Sequence, residues 1–335
     1  MGKESEGRPI DPADPATWPA SARAFWERRC PTPGITPLAE RLAREIRERG
    51  PIPFVEFMRR ALYDRHHGYY CTASRALGQQ GDFVTSPETH PAFNRIVGAR
   101  IVAIWRAMGC PPAFGVLEIG AGRGRLAHGV LAEWAEQVST PLAYTIVEPI
   151  ALWRREQAAS LQPFAPQVTW HRSLRGVGEF TGVVLANELV DAFPVYRVMR
   201  LGDEWREAWV DWEGEFVERW RPLVRADVVR YFRRLGLLPP DGQPVEVNLA
   251  MGRWLRAVSR RVTRGRLLLF DYGADAEALY GPGATSTLRA YRGQRLCPDV
   301  LAEPGARDLT ADVDFTTLIA EAERLGWQVE AFTSQ

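Results

Sequence analysis

The sequence predicts an α/β fold built on a parallel sheet, preceded by a helical region and interrupted by an antiparallel β segment. Three observations predict it. From Phe114 onward, short apolar runs alternate with helical periodicities. Three alternate glycines, Gly120, Gly122 and Gly124, join the first apolar run to the helix after it. Between Tyr196 and Pro222 the pattern switches to period two.

The elements follow in order. Residues 1–36 are rich in proline and charge and are read as a poorly ordered leader, with no apolar run of the signal-peptide kind. Leu38, Leu42 and Ile46 recur at helical spacing and Gly50-Pro51 stops the run, so a helix is expected over Pro37–Arg49, then another over Phe54–Tyr63. The glycine- and serine-rich stretch Gly68–Glu88 reads as an ordered loop, and helix resumes over Pro91–Met108. Residues 37–112 are thus expected as a helical region covering the site. The core is expected from 113–195 and 245–335. Its strands are Phe114–Ile119, Leu142–Glu148, Gln167–His171, Gly182–Asn187 and Arg266–Phe270, with helices over Arg125–Val138, Ile150–Leu161 and Leu249–Val262. Between the two parts, 196–244 carries Trp205, Trp209, Trp212 and Trp220 among charges, with turn signals at Gly202-Asp203 and Glu213-Gly214, and reads as an inserted meander and helix. Trp327–Gln335 looks like the start of a strand, so a seven-stranded sheet would want more chain.

Composition excludes several functions. Of 335 residues, 46% are hydrophobic and 25% charged, as in a globular chain, and 42 basic against 41 acidic residues leave no global field to attract nucleic acid or anionic lipid. Lys3 is the only lysine, which removes Schiff-base and P-loop chemistry. The apolar stretch Ile96–Gly120 is broken by Arg100, Arg106, Pro111 and Pro112, too interrupted for membrane insertion. Cys30, Cys71, Cys110 and Cys297 lack a paired spacing, which suits a reducing compartment and a cytoplasmic setting. His66, His67, His90, His128 and His171 form no ligand spacing, so no metal is expected.

The parallel sheet places ligands outside the carboxyl ends of its strands. There the run Val116-Leu-Glu118-Ile-Gly120-Ala-Gly122-Arg-Gly124-Arg-Leu126 lets the backbone turn sharply and approach a ligand. A dinucleotide fingerprint would need glycine or alanine where Arg125 stands, and Glu118 would repel a pyrophosphate. Glu118 suits a cation instead, such as the ammonium of S-adenosylmethionine (SAM). Glu148, ending the next strand, can accept from both ribose hydroxyls; its alternative is a solvated strand end. Ser173 and Leu174 fall where an adenine edge would lie, with ordinary loop packing as the alternative. Asn187, Glu188 and Asp191 follow the fourth strand, and two carboxylates there could hold a guanidinium and aim its nitrogen at a methyl donor. The competing reading is helix capping by Asn187 or Asp191.

Pro53-Phe-x-x-Phe57-Met58 with Tyr63, Gly68-Tyr69-Tyr70, Gly81-Asp82-Phe83-x-Thr85-Ser86-Pro87-Glu88, the glycine loop, Asn187-Glu188-x-x-Asp191-Ala-x-Pro194, Asp271-Tyr272-Gly273 and Pro304-Gly305-x-x-Asp308-x-Thr310-Ala311-x-Val313-Asp314-Phe315 together resemble the MidA family. The resemblance spans about residues 37–335. It implies a class I methyltransferase core with a Rossmann-like sheet, SAM as cofactor and a protein arginine as acceptor, with a respiratory-complex subunit as a candidate partner. It further implies that Asp82, Thr85 and Ser86 close over the cofactor while Glu188 and Asp191 orient the acceptor. The chain departs from the family pattern at Asn94, usually glycine, and at Gln294 and Asp312, where histidine is expected on the acceptor side. A non-catalytic assembly factor on the same fold and a small-molecule methyltransferase are the alternatives.

Overall fold

The structure, a computed structural model, describes residues 34–72 and 86–334. Helix α1 (Pro37–Arg49) opens on Thr36, whose hydroxyl accepts from Ala39 N, and buries Leu38, Leu42 and Ile46. Strand β1 (Ile52–Pro53) leads into α2 (Phe54–Tyr63), and a single turn, α3 (Tyr69–Thr72), stands where the sequence suggests loop. The leader to residue 33 and the stretch 73–85, which holds most of the expected ordered loop, lie outside the described residues. The chain continues as α4 (Ser86–Thr89) and α5 (Pro91–Ala107).

The α/β series then runs β2 (Gly115–Ile119), α6 (Arg125–Gln137), β3 (Ala143–Val147), α7 (Ala151–Ser160), β4 (Val168–His171) and β5 (Phe180–Asn187). Next come β6 (Tyr196–Leu201), β7 (Glu204–Trp212), β8 (Phe216–Pro222), α8 (Ala226–Leu235) and β9 (Pro244–Val247). Strand β7 pairs antiparallel with β6, β8 and β1, and β9 pairs with β6. The inserted sheet therefore takes one strand from the amino-terminal region.

Helix α9 (Leu249–Ser259) returns the chain to β10 (Val262–Phe270), which completes a five-stranded parallel sheet in the order β10-β5-β2-β3-β4. Strand order reverses at β2, with β3 and β4 laid down on one side and β5 and β10 on the other, so a crevice opens at the carboxyl ends of β2 and β5. The central strands are buried on both faces: Val116, Tyr144 and Val183 pack beneath α5 and α6, whereas Leu117, Val184 and, from α9, Val258 pack on the other side. That two-sided burial explains why these strands read as continuous apolar runs.

After β11 (Gly273–Ala274) and α10 (Ala276–Tyr280), strands β12 (Arg289–Arg292), β13 (Arg295–Cys297) and β14 (Asp308–Thr310) form a small antiparallel sheet. Strand β15 (Val313–Asp314) pairs with β11, and α11 (Phe315–Arg324) follows. Leu38, Phe57, Val210, Ala290 and Leu309 share one core, which joins α1, α2, the inserted sheet and the small sheet into one packed body. The expected strand at Trp327 does not form within the described residues. Trp327 Nε1 donates to Ser259 Oγ (2.8 Å) and Arg266 pairs with Glu330 (2.7 Å), so side chains rather than a backbone ladder hold this stretch beside β10. No helix among the described residues is long and apolar enough to cross a membrane.

Candidate active site

Beyond β2 the chain passes through Gly120, Gly122 and Gly124 with φ of 73°, 50° and 81°. All three lie in the left-handed region, where a Cβ crowds the backbone, so glycine is the residue this turn demands. Gly120 and Gly122 line a cavity of about 490 Å3 at the carboxyl ends of β2, β3 and β5. Gly124 instead forms the N-cap of α6 and stands outside the lining. The cavity lies within the roughly 300–1,000 Å3 of small-molecule sites.

Glu118 lines this cavity and is 2% exposed; Tyr144 donates to its Oε2 at 2.7 Å. Burial pushes its carboxyl up to about 7. Glu148, 4% exposed, also lines the cavity and is raised to about 7 by burial, with Ile150 N donating to Oε1 at 2.9 Å. The solvated strand end considered for Glu148 is therefore not what forms. Gln157 of α7 ties the two strand ends together. Its Nε2 donates to Gly122 O (2.9 Å) and reaches Glu148 Oε2 (3.4 Å), while Trp170 Nε1 donates to its Oε1 (3.1 Å).

The cover comes from the amino-terminal region. Trp153 lines the cavity and donates to Tyr70 O (2.9 Å); Tyr63 donates to Ala192 O (2.9 Å), and the Tyr63 and Tyr70 rings lie 5.5 Å apart. Glu88 pairs with Arg125 at 2.7 Å, and Asn94 Nδ2 donates to Pro87 O at 3.0 Å. Asn94 reaches that position because Gly129 opposite it has no Cβ, which would fall 2.3 Å from Asn94 Cβ. The departure from glycine at Asn94 thus gives a side chain that ties Pro87 to α5.

Leu174 and Arg172 line the cavity, while Ser173 is exposed and lies outside it. Asp82 and Thr85 lie outside the described residues, and for Ser86 the structure places only the backbone, at the start of α4.

Strand β5 delivers Asn187 and Glu188 to the same crevice. Glu188 adopts φ of 47°, a conformation that costs a non-glycine residue about 1–3 kcal/mol unless its surroundings hold it. They do. Glu188 N donates to Phe270 O (2.8 Å), Asp271 Oδ2 accepts from Leu189 N (3.2 Å) and Val190 N (2.8 Å), and Asn248 donates to Val190 O (3.0 Å). Ala311 N donates to Asp191 O at 3.0 Å. No helix starts here, so the capping read for Asn187 or Asp191 is not their role; Asp271 satisfies the turn instead. Burial raises Asp271 to about 6 against the lowering effect of those amides. Asp191 is driven well above the ordinary range by burial and by the nearby Asp271, Asp308 and Glu188.

Sequence reasoning missed Gln157, Trp153 and the positioning role of Asp271. The first two sit inside an ordinary helical pattern, whereas Asp271 carried a visible signal as the first residue of Asp271-Tyr272-Gly273 after an apolar strand. Of the two histidine replacements, Asp312 pairs with Arg289 beside Glu188 and Asp191, while Gln294 sits in the β12–β13 turn with φ of 59°.

Comparison with known proteins agrees with this geometry. Residues 96–333 match the profile of a family described as "Putative S-adenosyl-L-methionine-dependent methyltransferase". The chain is similar to the mitochondrial protein arginine methyltransferase NDUFAF7 of Mus musculus, 31% identical over 89% of this chain and 74% of the relative. It is also similar to the NDUFAF7 homologue of Drosophila melanogaster, 32% identical over 86% of this chain and 70% of that one. A Burkholderia thailandensis structure bound to S-adenosyl-homocysteine superposes with a TM-score of 0.78 at 31% identity, covering 88% of this chain and 79% of that chain. With the switch-point cavity, the left-handed glycine loop and the profile match in agreement, the chain belongs to this family of S-adenosyl-L-methionine-dependent methyltransferases.

Proposed function

We propose that the protein methylates an arginine side chain of a partner protein, binding SAM above the glycine loop. The observation that carries this reading is Glu188, held in a left-handed turn between the glycine-loop cavity and a second, acidic one. Relatives named as protein arginine methyltransferases support it. The residues present fit the cofactor: two buried carboxylates at adjacent strand ends, and a left-handed glycine loop whose Gly120 and Gly122 line the cavity.

Glu118 would take the amino-acid ammonium and Glu148 the ribose hydroxyls, with Gly120 and Gly122 giving close approach and Leu174 packing on the base. Asp82, Thr85 and Ser86 would close the site from the amino-terminal side, and Ser173 would stay at its rim. When bound, SAM supplies a methyl group activated by its sulfonium. Glu188 and Asp191, with Asn187 beside them, orient the acceptor guanidinium so that a nitrogen lone pair faces that methyl. As the N–C bond forms and the S–C bond breaks, the nitrogen's proton passes to a carboxylate, for which the raised Asp191 is suited. The partner would be a protein, with a respiratory-complex subunit the candidate that the family resemblance offers. The scattered cysteine spacing is read as that of a reducing compartment, of which the cytoplasm is one, while the curated relatives are named as mitochondrial.

The test is incubation of host proteins with isotopically labelled SAM followed by mass spectrometry. Label on arginine, formed roughly tenfold to a hundredfold more slowly in Glu188→Gln, is expected. Label confined to small molecules, or none at all from a protein that binds S-adenosylhomocysteine, would replace this reading by a small-molecule enzyme or by a non-catalytic assembly factor.

A further inference from the structure

A second cavity of about 500 Å3 adjoins the first and shares Tyr70 and Glu188 with it. Its other walls come from the turn after β5, from Tyr272 beyond β10, and from β12 and β14. Glu188, Asp191 and Asp308 bring three carboxylates to it, and Tyr272 and Tyr291 bring two rings. Arg289 is the cation among the lining residues, and Asp312 already engages it. Asp308 accepts from Tyr70 OH at 2.8 Å. Asp191 is 7% exposed, and its Oδ1 is buried with no hydrogen-bond partner among the described residues.

A buried carboxylate oxygen without a donor costs free energy until a ligand supplies one. No group of three His, Cys, Asp or Glu side chains among the described residues is arranged to hold a metal ion. The carboxylates sit on separate elements. A planar guanidinium, with five N–H donors in a fixed fork, can reach two of them at once, whereas an ammonium concentrates three donors at one point. Tyrosine rings suit the guanidinium and its aliphatic stem as well.

We propose that this second cavity is the acceptor port, in which an arginine side chain passes Tyr272 and Tyr291 and is held by Asp191 and Asp308 as it reaches Glu188. The assignment rests on the arginine reading above and adds the route and the residues that select the side chain. The Arg289–Asp312 pair belongs to the same wall; by neutralising Asp312 it leaves the inner carboxylates as the attracting charge. The elevated Asp191 is consistent with a group that becomes fully ionised when a cation arrives.

The test is calorimetry on protein saturated with S-adenosylhomocysteine, titrated with N-acetyl-arginine methylamide and with its lysine and citrulline counterparts. The arginine amide should bind at least tenfold more tightly than either. Asp191→Asn should weaken it tenfold or more and Tyr291→Ala several-fold, with S-adenosylhomocysteine affinity within twofold of wild type and an unchanged circular dichroism spectrum. Indifference of arginine binding to both variants would overturn the port while leaving the arginine reading intact. Preference for the lysine amide, weakened by the same variants, would instead overturn the arginine assignment. Equal binding of the three amides, or binding of none, removes the proposal.

Discussion

Glu118 and Glu148 are carboxyl groups that water would keep ionised, and the fold has carried both into apolar surroundings beside the glycine loop. Each is raised by burial to about 7. A carboxyl raised in the folded state contributes stability that is fully present below its unfolded value near 4.5 and is lost as pH rises through about 7, at most about 3 kcal/mol per group. Ligand binding has the opposite sign, because the ammonium of the cofactor prefers an ionised Glu118. The ligand-free protein should therefore lose thermal stability between pH 5 and pH 8, while the stabilisation given by S-adenosylhomocysteine should grow from pH 6 to pH 8. Melting curves across that range check both. Glu118→Gln should flatten the ligand effect and weaken binding by about 1.5–3 kcal/mol, the range for hydrogen bonds to charged groups. On the acceptor side Glu188→Gln should lower kcat by a similar free energy, roughly tenfold to a hundredfold, with cofactor affinity nearly unchanged. A fall in melting temperature with turnover intact would make Glu188 structural.

Two short elements set the geometry around these residues. The glycine loop depends on φ values that L-residues avoid, and Gly122 also lines the cavity. Gly122→Val should abolish cofactor binding in a protein that still folds, since it adds backbone strain and places a side chain where the ligand would lie. Calorimetry with S-adenosylhomocysteine decides it. The turn 188–191 depends on Asp271, which accepts from Leu189 N and Val190 N. Asp271→Asn keeps the shape but can keep only one amide oxygen as acceptor, so a loss of about 1–2 kcal/mol is expected, together with a lower kcat as Glu188 loosens. Urea denaturation and steady-state kinetics measure the two effects. The loop glycines were legible in the sequence because alternate glycines after a buried strand have few other uses. The role of Asp271 was not, since it acts across a strand pairing on residues some 80 positions away.

In the molecule as a whole, the inserted sheet and the amino-terminal helices pack into one body, from which Tyr63 and Tyr70 reach the crevice. Glu246 of β9 fixes the approach to β12: it accepts from Arg197, from Ser286 Oγ (2.8 Å) and from Thr287 N (2.8 Å), and it is 5% exposed. Removing one partner of a buried ion pair costs about 3–5 kcal/mol. Glu246→Ala should lower stability by that order and, because β12 carries Arg289 and Tyr291 of the second cavity, should impair turnover more than cofactor binding. Scanning calorimetry together with kinetics at saturating SAM tests this. Two of the insertion's tryptophans pack within this body: Trp205 stacks on Phe232 with centroids 5.0 Å apart, and Trp212 meets Phe216 edge-on at 4.8 Å.

By itself, the sequence determined the parallel α/β core, the meander, the glycine loop and the two strand-end carboxylates. Each is a local pattern in which backbone conformation or burial selects residue type within a few positions. The helices at Pro37–Arg49 and Phe54–Tyr63 were legible for the same reason. Only the tertiary structure decided that Tyr63 and Tyr70 reach over the crevice, that Gln157 joins Glu148 to the glycine loop, and that Asp191, Asp308 and Tyr291 meet in one cavity. It also decided that Trp327 and Glu330 are held by side chains instead of forming a strand. These are mostly contacts between residues tens to hundreds of positions apart, and they depend on how a two-residue strand, an inserted sheet and a late hairpin pack together, for which no local periodicity supplies a signal.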